Sequence, residues 1–247
     1  MTFPFPFGMP ILAAPDSGIQ FVGGNTLGKL GSTSSSSTIA LNSGLTGGSD
    51  SGVSAGDFVI AVFGSSATAD RTLAITDGTS NYTLIDSELW SDDTRDTNLR
   101  VAYKFMGGTP DTATTFGPTG DNADAGGTAV YVFRGVDPST PLDVAAVPAT
   151  GTDTSRADPP SITPTTAGAF IVCVGAAAHD GDIDTFTSSD LVGFLTVGRG
   201  DTNDITIGIG HKADWASGPF DAAAFGHTQA DSPAFSWAAM SIALRPA

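Results

Sequence analysis

Asp180, Asp182 and Asp184 alternate in the stretch HDGDIDTF, His179–Phe186. Carboxylate oxygens at this spacing suit a hard cation such as calcium. The EF-hand register is not met: Thr185 stands at the sixth position, where glycine is required, and Leu191 at the twelfth, where a bidentate Glu belongs. Calcium at Asp180, Asp182 and Asp184 is therefore weighed against a plain solvated acidic loop, and no other cofactor is expected. The loop Asp92–Asp96 is a lesser version of the same pattern. Two tryptophans offer a different chemistry. Trp90 has Asp92, Asp93 and Arg95 nearby, and Trp215 lies in KADWASGPF, Lys212–Phe220. An aromatic face flanked by polar groups can stack on a sugar ring, so both are candidate glycan contacts; packing at the end of a domain is the ordinary alternative.

Catalytic constellations do not assemble. A nucleophile elbow needs G-x-S-x-G, and Gly48–Gly52 reads GSDSG, with Asp50 where the serine belongs. His179, His211 and His227 are isolated, without H-E-x-x-H or cysteine partners. With 26 acidic residues, some carboxylate pair will meet glycosidase spacing by accident. Cys173 sits in the apolar run FIVCV, where a thiol is buried and inert. No catalytic residue is assigned, and the chain is expected not to be an enzyme.

These residues need elements to position them. Glu occurs once, at Glu88, against 25 Asp, among 31 Gly and 15 Pro. Helix surfaces draw on Glu and Lys, while Asp belongs in turns, so the chain reads as all-β. A formal charge of −16 excludes nucleic acid and anionic lipid surfaces as partners. One cysteine among 247 residues excludes an internal disulfide. Residues 1–16, MTFPFPFGMPILAAPD, carry no basic side chain and are broken by prolines, unlike a signal peptide. No stretch of 18 apolar residues occurs, so membrane insertion is not expected. The run is an extended apolar arm. Phe3, Phe5, Phe7, Met9 and Ile11 would form an exposed patch unless covered, either by their own domain or by another chain.

The body, 17–247, reads as a single β domain. TAVYVFR, Thr128–Arg134, is apolar on both faces, as a strand in the middle of a covered sheet must be. LRVAYKFM, Leu99–Met106, alternates as a strand with one wet face. The order then recurs after a Pro/Thr/Asp-rich linker, Val147–Thr166. GAFIVCVGA answers GDFVIAVFG, DTNDITIGIGHK answers DTNLRVAYKFM, Phe225–Ala234 answers Phe116–Gly127 and WAAMSIALR answers TAVYVFR, at offsets of 112, 105, 109 and about 111 residues. Two similar four-strand halves, about 56–135 and 168–246, are expected to share one core as an eight-stranded, jelly-roll-like β-sandwich. Thr and Gly opposite Ile205, Ile207 and Ile209 leave a face that another copy could approach, which favours a homo-oligomer, a trimer by preference.

The motif GDFVIAVFG … LRVAYKFM … AVYVFRGVDPSTPLD resembles β-sandwich virion proteins of tailed bacteriophages and phage-like particles. The match covers roughly Gly56–Asp143, with weaker cover from Gly168 to Arg245. The resemblance implies a virion location and a non-enzymatic structural role as a tail fibre, head fibre or decoration protein. It also implies an N-terminal segment fixed to other virion proteins; a host surface glycan is a further candidate partner, resting on Trp90 and Trp215. That family has no agreed catalytic residues, so none is carried over. A carbohydrate-binding module is the alternative from another class.

Overall fold

The computed structural model of the chain describes residues 18–30, 36–118, 125–152, 156–179, 185–199, 204–216, 218–227 and 234–247. The arm 1–16 and Asp180, Asp182 and Asp184 lie outside the described residues. Among those described, every regular element is a strand, and no helix is long and apolar enough to cross a membrane. The first half contains β1 (Gln20–Leu30), β2 (Ser37–Ala40), β3 (Phe58–Ala67), β4 (Ile75–Thr76), β5 (Thr83–Leu84), β6 (Leu89–Ser91), β7 (Asp96–Phe105), β8 (Ala113–Phe116) and β9 (Ala125–Arg134). The second contains β10 (Val147–Gly151), β11 (Ala169–His179), β12 (Phe186–Thr187), β13 (Val192–Arg199), β14 (Asp204–Trp215), β15 (Gly226–His227) and β16 (Ala234–Leu244).

Each half builds its own antiparallel sheet. The first runs β1-β9-β3-β7-β5, with β6 also on β7; the second runs β10-β16-β11-β14-β13. The wiring is the same in both, so the repeat seen in the sequence is a repeat of topology. Its details differ from the expectation. The two sheets hold six and five strands rather than eight in all, and no strand of one half enters the other half's sheet. The linker Val147–Thr166 contains edge strand β10.

The shared Asp-Thr-Asn is not structurally equivalent. Val62 pairs Val101 and Val174 pairs Ile209, so Asp204, three residues beyond Asp201, takes the place of Asp96. Parity explains this. Aligning Asp201 with Asp96 would shift the strand by an odd number and turn Asp204 and Thr206 into the core in place of Ile205 and Ile207.

Even-numbered β3 residues Phe58, Ile60 and Val62 point inward, against Phe170, Val172 and Val174 of β11, in one central core shared by both halves. The opposite faces are covered too. Val59, Ala61 and Phe63 pack with Phe116 and Ile75 beneath the small sheet β2-β8-β4. Ile171, Cys173 and Ala177 pack with Phe186 and Phe225 beneath the ribbon β12-β15. Burial on both faces is why the principal strands are apolar throughout. The face of β7 expected to be wet is instead half-buried. Arg100 pairs Glu88 at 3.1 Å, and Lys104 bridges Asp77 at 2.5 Å and Asp111 at 2.6 Å. The Lys104 ammonium and the Ser80 and Thr79 amides hold the Asp77 carboxyl well below the usual carboxylate range.

Cys173 is fully buried, 3.7 Å from the Ser241 hydroxyl, and burial pushes its thiol up to about 12. Below the exposed thiol's own value near 9, the buried thiol holds roughly a thousandth of the thiolate that an exposed cysteine would. Labelling by an aromatic disulfide reagent at pH 8 is expected to be negligible in the native protein and to rise with global unfolding in denaturant.

Candidate binding cleft

Sheet ends, rather than faces, are where side chains remain available. At one end the core is polar and small. Thr97 donates to Ser236 O at 2.8 Å and accepts from the Ala178 amide at 3.0 Å, while the Ser236 hydroxyl donates to Arg95 O at 2.7 Å. These bonds tie β7 to β11 and β16 across the sandwich. The other end is aromatic. Phe133 meets Phe170 edge-on at 5.1 Å, and Phe21 lies 4.7 Å from Tyr131 and 4.5 Å from His211. The Tyr131 hydroxyl donates across the sandwich to the Gly193 and Ile209 carbonyls.

His211 belongs to this aromatic packing. Its Nδ1 is buried without a hydrogen-bond partner, and burial lowers its pKa to about 4. The folded state therefore holds it neutral where an unfolded chain, near 6.5, would protonate it. Stability is full above pH 6.5 and falls as pH drops from 6.5 to 4, by on the order of 2–3 kcal/mol. The expected result is that His211→Phe flattens a urea-unfolding profile over that window while leaving the steeper loss below pH 4.

Trp215 closes β14 at the aromatic end. Asp214 before it, at φ 50°, is the one non-glycine residue with positive φ among the described residues, and it turns the strand end outward. The indole Nε1–H donates to Gly218 O at 3.0 Å, and the ring meets Phe220 edge-on at 5.0 Å. Phe220 is fixed in turn by reciprocal backbone bonds with Ile162 at 2.8 and 2.9 Å. The half-buried Trp215 thus stands on a rigid base and borders a cleft of about 460 Å³, with Ser189, Asp190, Lys212, Pro219, Phe220 and Asp221 around it. Asp190 accepts from the Ala223 amide at 2.8 Å and from Ser189 Oγ at 3.3 Å. The Lys212 side chain lines the cleft and makes no hydrogen bond or ion pair among the described residues. Acceptors, donors and an aromatic side chain around one shallow cleft are the equipment for holding hydroxylated rings.

A second cleft, of about 280 Å³, is lined by Gly18, Ile19, Gln20, Arg134, Gly135 and Asp214. A third, of about 270 Å³ at Lys212–Ala216, shares Asp214 with the second and Lys212 and Trp215 with the first. Arg134 is positioned there by a two-point ion pair with the buried Asp57, at 2.8 and 2.9 Å.

Of the residues singled out in the sequence, Trp215 alone falls in this groove. Trp90 is 44% exposed on β6, where it pairs Asn98 near the polar end of the other sheet. The two tryptophans do not form one platform. Gly48–Gly52 is structural: Ser49 and Asp50 donate their amides to Phe21 and Val22 carbonyls, covering the edge of β1. Among the described residues no group of three metal-binding side chains occurs, and the expected calcium ligands lie outside them. The small face of β14 offers no room to a second copy. A Cβ at Gly208 would lie 2.8 Å from Phe194, and one at Gly210 would lie 2.6 Å from Phe194 and 2.8 Å from Leu191. The chain's own aromatic residues fill the space that the sequence left to another subunit. Lys212, Asp190 and Phe220 had no sequence signal as site residues, because their convergence depends on β13–β14 pairing, which sets Val192 opposite His211, and on the path of the chain after Trp215.

No family model matches the chain, and no curated protein or solved structure matches it. The likeness to virion sandwiches thus stands on the quoted motifs alone.

Proposed function

We propose that this protein is a non-enzymatic structural component of a phage-type particle. On this reading it belongs to a tail-fibre or adhesion apparatus, is held to other virion proteins through Phe3, Phe5, Phe7, Met9 and Ile11, and presents its jelly-roll-like sandwich to a host surface glycan. The observation that carries the binding role is the Trp215 cleft, where a rigidly based indole stands beside Asp190, Asp221 and a Lys212 that makes no ion pair among the described residues. Homo-oligomerisation, with a trimer favoured, through a surface other than the small face of β14, and calcium at Asp180, Asp182 and Asp184 belong to the same reading. A capsid decoration or head-fibre role shares the anchoring arm and differs in having no need of the cleft.

Two measurements on one preparation test the reading. Glycan-array binding of the full chain is expected to be lost in Trp215→Ala and kept in Trp90→Ala, since only the former lines the groove. Replacing the five apolar arm residues by serine is expected to abolish recovery of the chain with purified particles while leaving its thermal transition unchanged. Binding unaffected by Trp215→Ala would remove the glycan role, and incorporation without the apolar arm would remove the anchoring role.

A further inference from the structure

We infer that the Trp215 cleft selects uncharged, hexose-terminated glycans and turns away those capped by an acid. The inference rests on the glycan-binding reading above and adds the class of ligand. At about 460 Å³ the cleft lies within the range of roughly 300–1,000 Å³ typical of small-ligand sites. Its lining is mixed: Ser189, Asp190, Lys212 and Asp221 are polar, while Trp215, Pro219 and Phe220 are not. A pyranose ring carries the same mixture, an apolar C–H face and a rim of hydroxyls that both donate and accept.

Two of these groups are held in place by the chain itself. Asp190 takes the Ala223 amide on Oδ2 at 2.8 Å and the Ser189 hydroxyl on Oδ1 at 3.3 Å, so its orientation does not depend on a cation. Each carboxylate oxygen has two lone-pair sites, which leaves one on each to accept a ligand hydroxyl. Trp215 commits its N–H to Gly218 O at 3.0 Å, and its ring meets Phe220 edge-on at 5.0 Å. The indole therefore offers a ligand its surface and no donor. Donation falls to the Lys212 ammonium, which has no ion pair among the described residues even though acidic residues outnumber basic ones 26 to 10 in the chain.

Charge decides between ligands that this chemistry alone would accept. Asp190 and Asp221 line the cleft against the single Lys212, and Asp214 lines the cleft that shares Lys212 and Trp215 with it. The chain as a whole stands at −16. A sialic acid, uronic acid or sulphate entering there meets more carboxylate than ammonium. A neutral hexose can use both signs, donating to Asp190 and accepting from Lys212. A tenfold preference is about 1.4 kcal/mol, of the size that one like charge a few ångströms away supplies at a protein surface. Salt screens that repulsion and leaves the stacking of a neutral ring largely untouched.

Matched glycan pairs on an array, probed with the full chain, test the inference. One member of each pair ends in a neutral hexose, and the other carries sialic acid or sulphate on that hexose. At about 20 mM salt the acidic member is expected to bind roughly tenfold more weakly, and the gap to narrow several-fold at about 0.5 M while the neutral member keeps its signal. Asp221→Lys, at an exposed position, changes the cleft from two carboxylates and one ammonium to one and two. It is expected to bring the acidic member to parity or above. Equal or better binding of acidic members by the native chain would overturn the selectivity and leave the glycan role standing. A preference unchanged in Asp221→Lys would overturn its assignment to the cleft and trace it to the overall charge. Binding of no member would remove the glycan reading and this inference with it.

Discussion

Asp143→Ala is expected to lower the stability of the whole domain by about 2–4 kcal/mol, through the loss of several hydrogen bonds to one buried carboxylate. The Asp143 side chain is fully buried and ties together three stretches of chain. It accepts from the Thr165 amide at 2.5 Å, the Thr166 amide at 3.0 Å and Arg245 Nε at 3.3 Å. The variant removes the acceptor of Arg245 Nε and of the Thr165 and Thr166 amides, while Arg245 keeps its bonds to Thr140 Oγ1 and to the backbone carbonyl of residue 143. The damage also spreads along a seam. Residues 135–143 run beside the C-terminal 243–247, through Asp137 N to Arg245 O at 2.9 Å, Arg245 N to Pro141 O at 2.9 Å and Asp143 N to Ala243 O at 2.8 Å. Urea denaturation at pH 7 measures the loss, and a change below about 1 kcal/mol would place the seam outside the cooperative unit. A pH signature accompanies it. Burial opposes ionisation of Asp143, but the Thr166 and Thr165 hydrogen bonds outweigh it and hold the carboxyl at about 2. Its contribution is therefore full above the unfolded value near 3.8 and is lost between 3.8 and 2, below the window assigned to His211.

Phe133→Ala and Ile171→Ala should each cost about 2–5 kcal/mol, and both should lower a single unfolding transition. Phe133 lies in the central core, 5.1 Å from Phe170 of the other half and 5.7 Å from Phe21. Ile171 faces away from that core, among Phe186, Phe225 and Ala243. If the halves were separate domains, each substitution would move its own transition. Here each sheet has one face in the shared core, so loss of either sheet exposes the inward residues of the other. Differential scanning calorimetry of both variants decides the matter: two resolved peaks, each sensitive to one substitution, would divide the sandwich into independent halves.

Particular residues show what the chain alone determined. A single Glu among 26 acids, with Gly and Pro throughout, was enough to place the fold among all-β proteins. Apolar residues at consecutive positions of Val59–Phe63 and Phe170–Val174 required strands covered on both faces, and three apolar layers cover them. The recurrence of these strands in one order carried the duplication, because side-chain parity and strand order are local properties written along the chain. What the chain left undecided is everything set by pairing between distant segments. Identity at Asp-Thr-Asn suggested one register for β14 and the core imposed another, since only the latter turns Ile205, Ile207 and Ile209 inward. The equivalent arginines Arg134 and Arg245 find different buried acids, Asp57 just before β3 and Asp143 from the connection between β9 and β10. Ala169 stands where Asp57 would recur, so that connection supplies the missing charge. Trp90 and Trp215 looked alike in sequence and came to rest at opposite ends of different sheets. Backbone hydrogen bonds choose partners by the burial they achieve together, and that sum is defined only once both sheets have closed on one core.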